Sequence, residues 1–138
     1  MIESSSNTRV HQFDNGLVLI TERVSGVQSL ALRCVLPAGA VFEDIHNLGA
    51  SSVCAEMLMR GAGDLDSKAQ AIAFDRAGAL RDVENAIRFM QISTTTLGHR
   101  AADALPLLMD MVRRPRMSQE SFAPAQELAM LGVASLED

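Results

Sequence analysis

An alternation of apolar and polar residues near the start of the chain predicts three β-strands. Residues 10–13 and 17–20 flank residues 14–16, where an Asn-Gly pair supplies the positive φ angles of a tight hairpin turn. Residues 27–35 follow as the third strand. Its period of two separates two faces, one with Leu30, Leu32 and Cys34 and the other with Ser29, Ala31 and Arg33.

A loop and a first helix come next in the pattern. Residues 37–44 have loop composition, and Gly39 is interpreted as their flexible point. Between residues 48 and 60 the composition shifts to Ala, Ser, Leu, Met and Glu, which favours a helix. The glycine-containing stretch 61–64 is predicted to end it.

The second predicted helix has clear start and stop signals. Ser67 can cap its start with Gln70 three residues on, as in a capping box, and Gly78 lies just past its end. Helical spacing then places a small apolar stripe on one face, consisting of Ala69, Ile72, Ala73 and Ala77.

The second half of the chain repeats the sequence of strands followed by helices. Residues 81–84 and 86–93 are predicted strands, and residues 99–112 form a helix that begins late or bends at Pro106. A last helix is predicted from residue 124 to the end. The expected inward-facing residues are Ala101, Leu105, Leu108 and Val112 on the third helix, and Leu128, Leu131 and Leu136 on the last.

This order predicts an α+β fold in which helices cover one side of a largely antiparallel sheet. Residues 1–9 are interpreted as an N-terminal tail and residues 10–138 as a single domain. Nothing after the last helix signals a finished domain, so we expect the domain to be incomplete at its C-terminus or completed by a partner.

Composition narrows the class of protein. The chain has 138 residues, 48% apolar and 21% charged, a balance that excludes a disordered chain and fits one domain. No apolar run approaches the roughly 20 residues of a membrane helix, so no membrane insertion is expected. A net charge of −5 offers no electrostatic footprint for nucleic acid. Cys34 and Cys54 form neither a disulfide framework nor a cysteine zinc site.

Four stretches, in this order and spacing, resemble one family. The first is an asparagine–glycine–leucine hairpin and the second a loop of the form small-Gly-small-x-x-Glu. The third is a helix that ends in Met-Leu-Met-Arg-Gly, and the fourth is a late helix followed by a proline. They lie at residues 14–17, 37–43, 47–63 and 107–115. Together they resemble the pitrilysin/insulinase group of metallopeptidases, which includes the mitochondrial processing peptidase subunits and their bacterial relatives.

The resemblance implies where a zinc site would stand. Active members carry H-x-x-E-H on a helix, with two histidine ligands and a glutamate as general base. Alignment on residues 57–61 places Ser52 at the first ligand position, Ala55 at the base position and Glu56 at the second ligand position. The third ligand, a glutamate on the last helix, falls on Gly132, with Leu131 and Val133 beside it. We therefore expect no catalytic residue, no metal and no cofactor in this chain.

Other metal ligands were weighed at the same helix. Ser52 and Glu56 are four residues apart and share a helical face, but one hydroxyl and one carboxylate form a poor zinc site. The three histidines, His11, His46 and His99, are interpreted as surface or loop residues. Glu56 has an ordinary alternative as a solvated acid or as the partner of Arg60.

Two residue clusters have ordinary structural explanations. Arg113, Arg114 and Arg116 lie at a helix C-terminus, where positive charge suits the helix dipole. The methionines are most simply core filling, and an adaptable protein interface is the alternative. This set consists of Met57, Met59, Met90, Met109, Met111 and Met130.

Three functions follow as hypotheses from an intact framework around an erased site. The first is a non-catalytic homologue that forms a peptide chamber with a zinc-bearing homologous subunit. In this hypothesis the protein is a hetero- or homo-oligomer, and zinc is expected only in the active partner. An extended peptide would then add to a strand edge at residues 27–35 or 86–93. The second is a scaffold subunit like the core proteins of the respiratory cytochrome complex. The third is an active zinc endopeptidase with an unrecognised site. A further alternative, which does not depend on the family resemblance, is an unrelated α+β binding domain. The expected location is the bacterial cytoplasm, with the mitochondrial matrix as the alternative.

Overall fold

The computed structural model describes residues 7–134 as seven strands and four α-helices. The strands are β1 (Thr8–Gln12), β2 (Val18–Glu22), β3 (Ser29–Leu36), β4 (Gly61–Ala62), β5 (Leu65–Asp66), β6 (Leu80–Asn85) and β7 (Met90–Leu97). The helices are α1 (Ala50–Leu58), α2 (Ser67–Arg76), α3 (Ala101–Arg113) and α4 (Gln119–Ala134). Short 3-10 turns lie at Ala40–Phe42 and Gly98–Arg100.

The first two strands form the predicted hairpin. β1 pairs antiparallel with β2, with Val10 opposite Ile20. Gly16 has a φ of 85° at the turn, and the Phe13 N–H donates to the Leu17 carbonyl at 2.8 Å. The hairpin keeps its apolar side chains exposed on both faces, namely Val10, Leu17, Val18, Leu19 and Ile20.

The central sheet has the order β3–β7–β6, and both pairings are antiparallel. The strand predicted at 86–93 is therefore placed wrongly, because pairing begins only at Met90. Residues 86–89 form the turn from β6, closed by a 2.9 Å hydrogen bond from the Ala86 N–H to the Phe89 carbonyl. Ile87 is consequently exposed rather than part of a strand face.

One face of this sheet carries the core. Every second residue of β7 is buried, beginning with Met90 and Ile92, as a period of two requires. Helix α3 packs on β7 and contributes Leu108 and Met111, while Phe74 comes from α2. The expected α+β architecture, an antiparallel sheet with helices on one side, is confirmed.

The start of α2 differs from the prediction. The N-cap is Asp66, whose carboxylate accepts from the Ala69 N–H at 2.8 Å, so Ser67 is already the first helical residue. Gln70 does not close a capping box but is buried, and Phe74 one turn later fills the core. Ile72, expected on the inner stripe, is exposed. The predicted stop is confirmed, with Gly78 in the left-handed region at a φ of 59°.

The later helices are also shifted from their predicted faces. On α3 the buried residues are Ala104, Leu108 and Met111, whereas Leu105 is 44% exposed. Helix α4 begins at Gln119, five residues before the predicted start. Pro124, which was predicted to mark that start, lies inside the helix. Ala125 of α4 is fully buried. Leu128 and Leu131 are exposed, and Leu136 lies outside the described residues.

Gly39 has a packing role rather than the flexible role predicted for it. Its φ of 167° is ordinary extended backbone. A Cβ at this position would lie 2.8 Å from the Ile87 carbonyl oxygen and still closer to that of Ala86. The Val41 N–H donates to the same Ile87 carbonyl at 2.9 Å, so the loop is pressed against the turn between β6 and β7. Glycine is required here because the two backbones touch.

Candidate functional site

The residues that alignment predicts at the positions of the family's H-x-x-E-H motif lie on α1. Ser52 and Glu56 are half-buried, and Ala55 is 8% exposed and belongs to the hydrophobic core cluster. The helix starts after Gly49, whose φ of 89° places the N-cap in the left-handed region. The sequence therefore forms the expected helix, with the motif positions in its first two turns.

A carboxylate from the preceding loop caps this helix. Glu43 accepts hydrogen bonds from the Gly49 N–H at 2.8 Å and the Ser51 N–H at 2.7 Å. It also accepts from the Ser51 hydroxyl. The Ser51 hydroxyl first, then the backbone N–H groups of Ser51 and Gly49, hold the pKa of Glu43 below its usual value. Glu43 thus satisfies N–H groups that a helix start leaves without intrahelical partners.

An amide from the sheet completes this polar network. Asn85, at the end of β6, donates from Nδ2 to Ser51 Oγ at 3.0 Å and to Ser52 Oγ at 3.1 Å. Its Oδ1 is buried and has no hydrogen-bond partner in the described part of the chain. The network therefore connects the start of α1 to the sheet, and it includes the hydroxyl of Ser52, the residue predicted at the first ligand position.

The residues at the motif positions do not fit zinc. Ser52 offers a hydroxyl already hydrogen-bonded to Asn85, Ala55 offers a buried methyl group, and Gly132 has no side chain. Glu56 is left as one carboxylate, whereas zinc takes three or four nitrogen, sulfur or carboxylate ligands. Across residues 7–134, no three His, Cys, Asp or Glu residues come together in a way that could hold a metal ion.

A cavity of about 830 Å³ opens between α1 and α4 beside these positions. Ser52 lines it from α1, and Ala129, Met130 and Ala134, the neighbours of Gly132, line it from α4. The fold thus brings the first ligand position and the α4 segment around the third to one cavity. Ala55, Glu56 and Gly132 themselves are not among its lining residues.

The remaining candidates lie apart from this cavity. The three histidines are exposed and lie on different segments, and His11 packs edge-on against Phe13 at 4.5 Å. Arg114 pairs with Asp110 at 3.0 Å at the end of α3, as expected for a basic helix terminus. Within residues 7–134, the ion pairs do not include Glu56 with Arg60, so the pair weighed from the sequence is not formed.

The two thiols are half-buried and free. Burial raises the pKa of both Cys34 and Cys54 above the ordinary thiol value. Raised pKa values keep both side chains as neutral thiols near pH 7, which makes them poor nucleophiles. Cys54 also lines the cavity between α1 and α4.

Sequence analysis missed the network and the cavity. Glu43 is the last residue of the small-Gly-small-x-x-Glu loop at residues 37–43, so the sequence did point to this residue. Nothing in the sequence pointed to Asn85, because its partner Ser52 is 33 residues away along the chain. The cavity depends on the packing of α1 against α4, and periodicity had placed the inner face of α4 on the wrong residues.

Comparison with known proteins connects the fold to a class of peptidases. No family model matches the chain. A Rickettsia felis protein named "Uncharacterized zinc protease" is 23% identical over 136 residues, covering 96% of this chain and 32% of the relative. A protein of the same name from Rickettsia bellii is 21% identical over 132 residues. The chain thus spans about a third of the length of the curated relatives it matches.

Solved structures match more closely in shape than in sequence. The peptidase M16 inactive domain from Pseudomonas fluorescens aligns with a TM-score of 0.82 and 21% identity, over 91% of this chain and 31% of that one. A protease from Helicobacter pylori aligns with a TM-score of 0.78 and 12% identity, over 88% of this chain and 29% of that one. The chain therefore has the fold of part of an M16 peptidase, and the resemblance to the pitrilysin/insulinase family indicated by its four motifs is confirmed.

Proposed function

We propose that this chain is a non-catalytic homologue of zinc processing peptidases, acting as the zinc-less half of a peptide-binding chamber. One observation carries the proposal: the motif positions hold Ser52, Ala55 and Glu56 on a well-formed helix, with Ala55 packed in the core. A methyl group cannot take a proton from zinc-bound water, so the general base of the family's mechanism is missing. The match to an M16 inactive domain supports the same assignment.

The proposed partner is a homologous subunit that carries the complete zinc motif. The two would form a hetero-oligomer in which this chain holds an extended peptide and the partner cleaves it. The bacterial relatives support a location in the bacterial cytoplasm. Within the described residues, none of the helices is long and apolar enough to cross a membrane.

The sheet restricts where an extended peptide can add. Strand β7 is paired on both sides, so the segment 86–93, considered from the sequence, offers no free edge where it forms a strand. Among residues 7–134, β3 and β6 each have one neighbouring strand in this sheet, so each has one edge to which no described strand is paired. Strand addition through backbone hydrogen bonds is therefore proposed at β3 or β6.

A cleavage assay tests the proposal. The purified chain is incubated with an extended fluorogenic peptide, alone and with a zinc-bearing homologue. We expect no chelator-sensitive cleavage by the chain alone, and faster cleavage by the mixture than by the homologue alone. Chelator-sensitive cleavage by the chain alone would overturn the proposal. Co-purification with a membrane complex and no effect on the homologue would instead support the scaffold hypothesis.

Matched edge variants identify the peptide strand. Val35 on β3 and Leu80 on β6 are 60% and 77% exposed, so a charge at either is tolerated by the fold. Val35→Lys and Leu80→Lys each remove an apolar partner for a peptide side chain on one edge. We expect one variant to lose the stimulation of cleavage and the other to keep it.

A further inference from the structure

The described residues that line the cavity between α1 and α4 carry no charge. It is lined by sixteen residues, and none of them is Asp, Glu, Lys, Arg or His, although 21% of the chain is charged. Its polar groups are neutral amides and hydroxyls, supplied by Asn47, Ser52, Ser118, Gln119 and Gln126. The cavity is open to solvent at Leu48 and Met130, which are 68% and 67% exposed, so a charged ligand would lose only part of its hydration. It would still find no counter-charge among the described lining residues, whereas a neutral ligand needs none. The described lining therefore favours a neutral ligand over an ion of either sign.

The remaining wall is apolar and adaptable. Three methionines, Met57, Met117 and Met130, line the cavity together with Val53 and Phe122. Unbranched thioether side chains can repack around ligands of different shape. A volume of about 830 Å³ lies within the range of small-molecule sites.

Ser52 gives the cavity a directional polar group. Its Oγ accepts from Asn85 Nδ2 at 3.1 Å, so its own O–H is left to donate. A neutral carbonyl or hydroxyl oxygen can accept that proton. A carboxylate could accept it too, but would bring its charge into a neutral site.

We propose that this cavity binds an uncharged amphiphile, with its apolar body against the methionine-lined wall and a neutral oxygen accepting a hydrogen bond from Ser52. The cavity lies beside the predicted zinc-motif positions, and one of them, Ser52, lines it. This inference is independent of the proposed role as a chamber subunit, because it requires neither a partner nor a peptide.

Displacement of a neutral fluorescent dye, Nile red, tests the proposal on the 138-residue chain. The competitors are octanamide, octanoate and octylammonium at pH 7, below their aggregation concentrations. We expect saturable displacement by octanamide, at least about tenfold tighter than by either ion. Equal affinity for the three competitors would overturn the proposal, as would displacement without saturation.

Variants locate the bound molecule. Ser52→Val removes the hydroxyl at nearly constant volume and is expected to weaken octanamide binding about fivefold while leaving octane unchanged. Ala129→Phe and Val53→Phe fill the cavity and should abolish binding of both. Leu19→Ala removes an exposed apolar side chain on the hairpin and serves as the matched control.

The variants distinguish binding in the cavity from binding to exposed apolar surface. Circular dichroism and the unfolding temperature establish that each variant is folded before its affinity is compared. Binding that survives both filling variants, or that is lost in Leu19→Ala, would show that the dye reports exposed apolar surface and would overturn the proposal. A peptide with an apolar side chain displacing the dye while octanamide does not would also overturn it, in favour of a peptide subsite.

Discussion

Asn85 Nδ2 lies 3.1 Å from Ser52 Oγ, so the end of β6 is hydrogen-bonded to the residue of α1 that alignment with the family predicts at the first zinc-ligand position. The same amide donates to Ser51 Oγ at 3.0 Å, and Ser51 in turn donates to the Glu43 carboxylate. A side chain from the sheet and one from a loop therefore fix the start of α1. At this predicted ligand position, Ser52 accepts one of the hydrogen bonds that hold α1 to the sheet.

The first prediction concerns the hydrogen bonds that Asn85 donates to the start of α1. Asn85→Ala removes the donor to both serine hydroxyls, and we expect the free energy of unfolding to fall by about 1–2 kcal/mol. Urea denaturation at pH 7 measures it. Gln91→Ala is the control, because its hydrogen bond to Glu84 is exposed, and it should cost no more than about 0.5 kcal/mol. Equal effects of the two substitutions would show that the network adds nothing to stability.

The second prediction is a pH dependence that arises from Glu43. Its pKa is lower in the folded chain than the unfolded value of about 4.3, since the Ser51 and Gly49 donors favour the carboxylate. The stabilisation is thus fully present above that unfolded value and is lost as the pH falls through the folded pKa. Glu43→Gln should be less stable than the natural chain by roughly 0.5–1 kcal/mol at pH 7, the low end for a helix cap because the site is exposed.

Urea unfolding of both chains between pH 7 and pH 3 checks this expectation. The difference between them should shrink as the pH falls below the unfolded pKa of a glutamate and through the lower folded pKa of Glu43. Asp14→Asn, a charge removal on the hairpin turn outside this network, controls for the change in net charge. A constant difference across the whole range would mean that the Glu43 charge does not stabilise α1.

Local patterns predicted the elements well and their faces less well. The hairpin, β3 and α1 depend on turn residues and periodicity within a dozen residues, and these were found. The strand at 86–93 was misplaced because Ile87 and Phe89 are apolar residues in a turn, where sequence alternation looks like a strand. On α3 the predicted Leu108 is buried and Val112 packs against the core, but Ala104 is buried instead of the predicted Leu105. The neighbouring elements decide which of two adjacent residues is buried.

In the candidate site, too, features that depend on short stretches of sequence were predicted, and features that depend on distant contacts were not. The motif positions Ser52, Ala55, Glu56 and Gly132 followed from short stretches that resemble a family, and the structure places the first three in successive turns of one helix. The hydrogen bond from Asn85 and the cavity against α4 depend on contacts between distant segments. No period or spacing in one sequence encodes such contacts.

The third prediction concerns the loop before α1. Gly39→Ala adds a Cβ against the backbone carbonyls of Ala86 and Ile87, which are held in a turn and have little room to move. We expect a loss of about 2 kcal/mol in the free energy of unfolding, as for overpacking in a rigid region. Gly132→Ala is the control, since a Cβ there meets no heavy atom within 4 Å and alanine favours a helix. A Gly39→Ala chain as stable as the natural one would mean that the loop moves away freely.

The fourth prediction restores metal ligands at the erased positions. Ser52→His and Glu56→His place two imidazoles one turn apart on α1, and Gly132→Glu adds a carboxylate at a position where a Cβ would meet no heavy atom within 4 Å. We expect the triple variant to hold one zinc ion per chain by elemental analysis, and the natural chain to hold none. Cys54→Ser in both backgrounds excludes binding by the neighbouring thiol. A folded triple variant with no more zinc than the natural chain would show that α1 and α4 do not bring these positions together. That result would also contradict the prediction that Ser52, Glu56 and Gly132 stand at the ligand positions of the family.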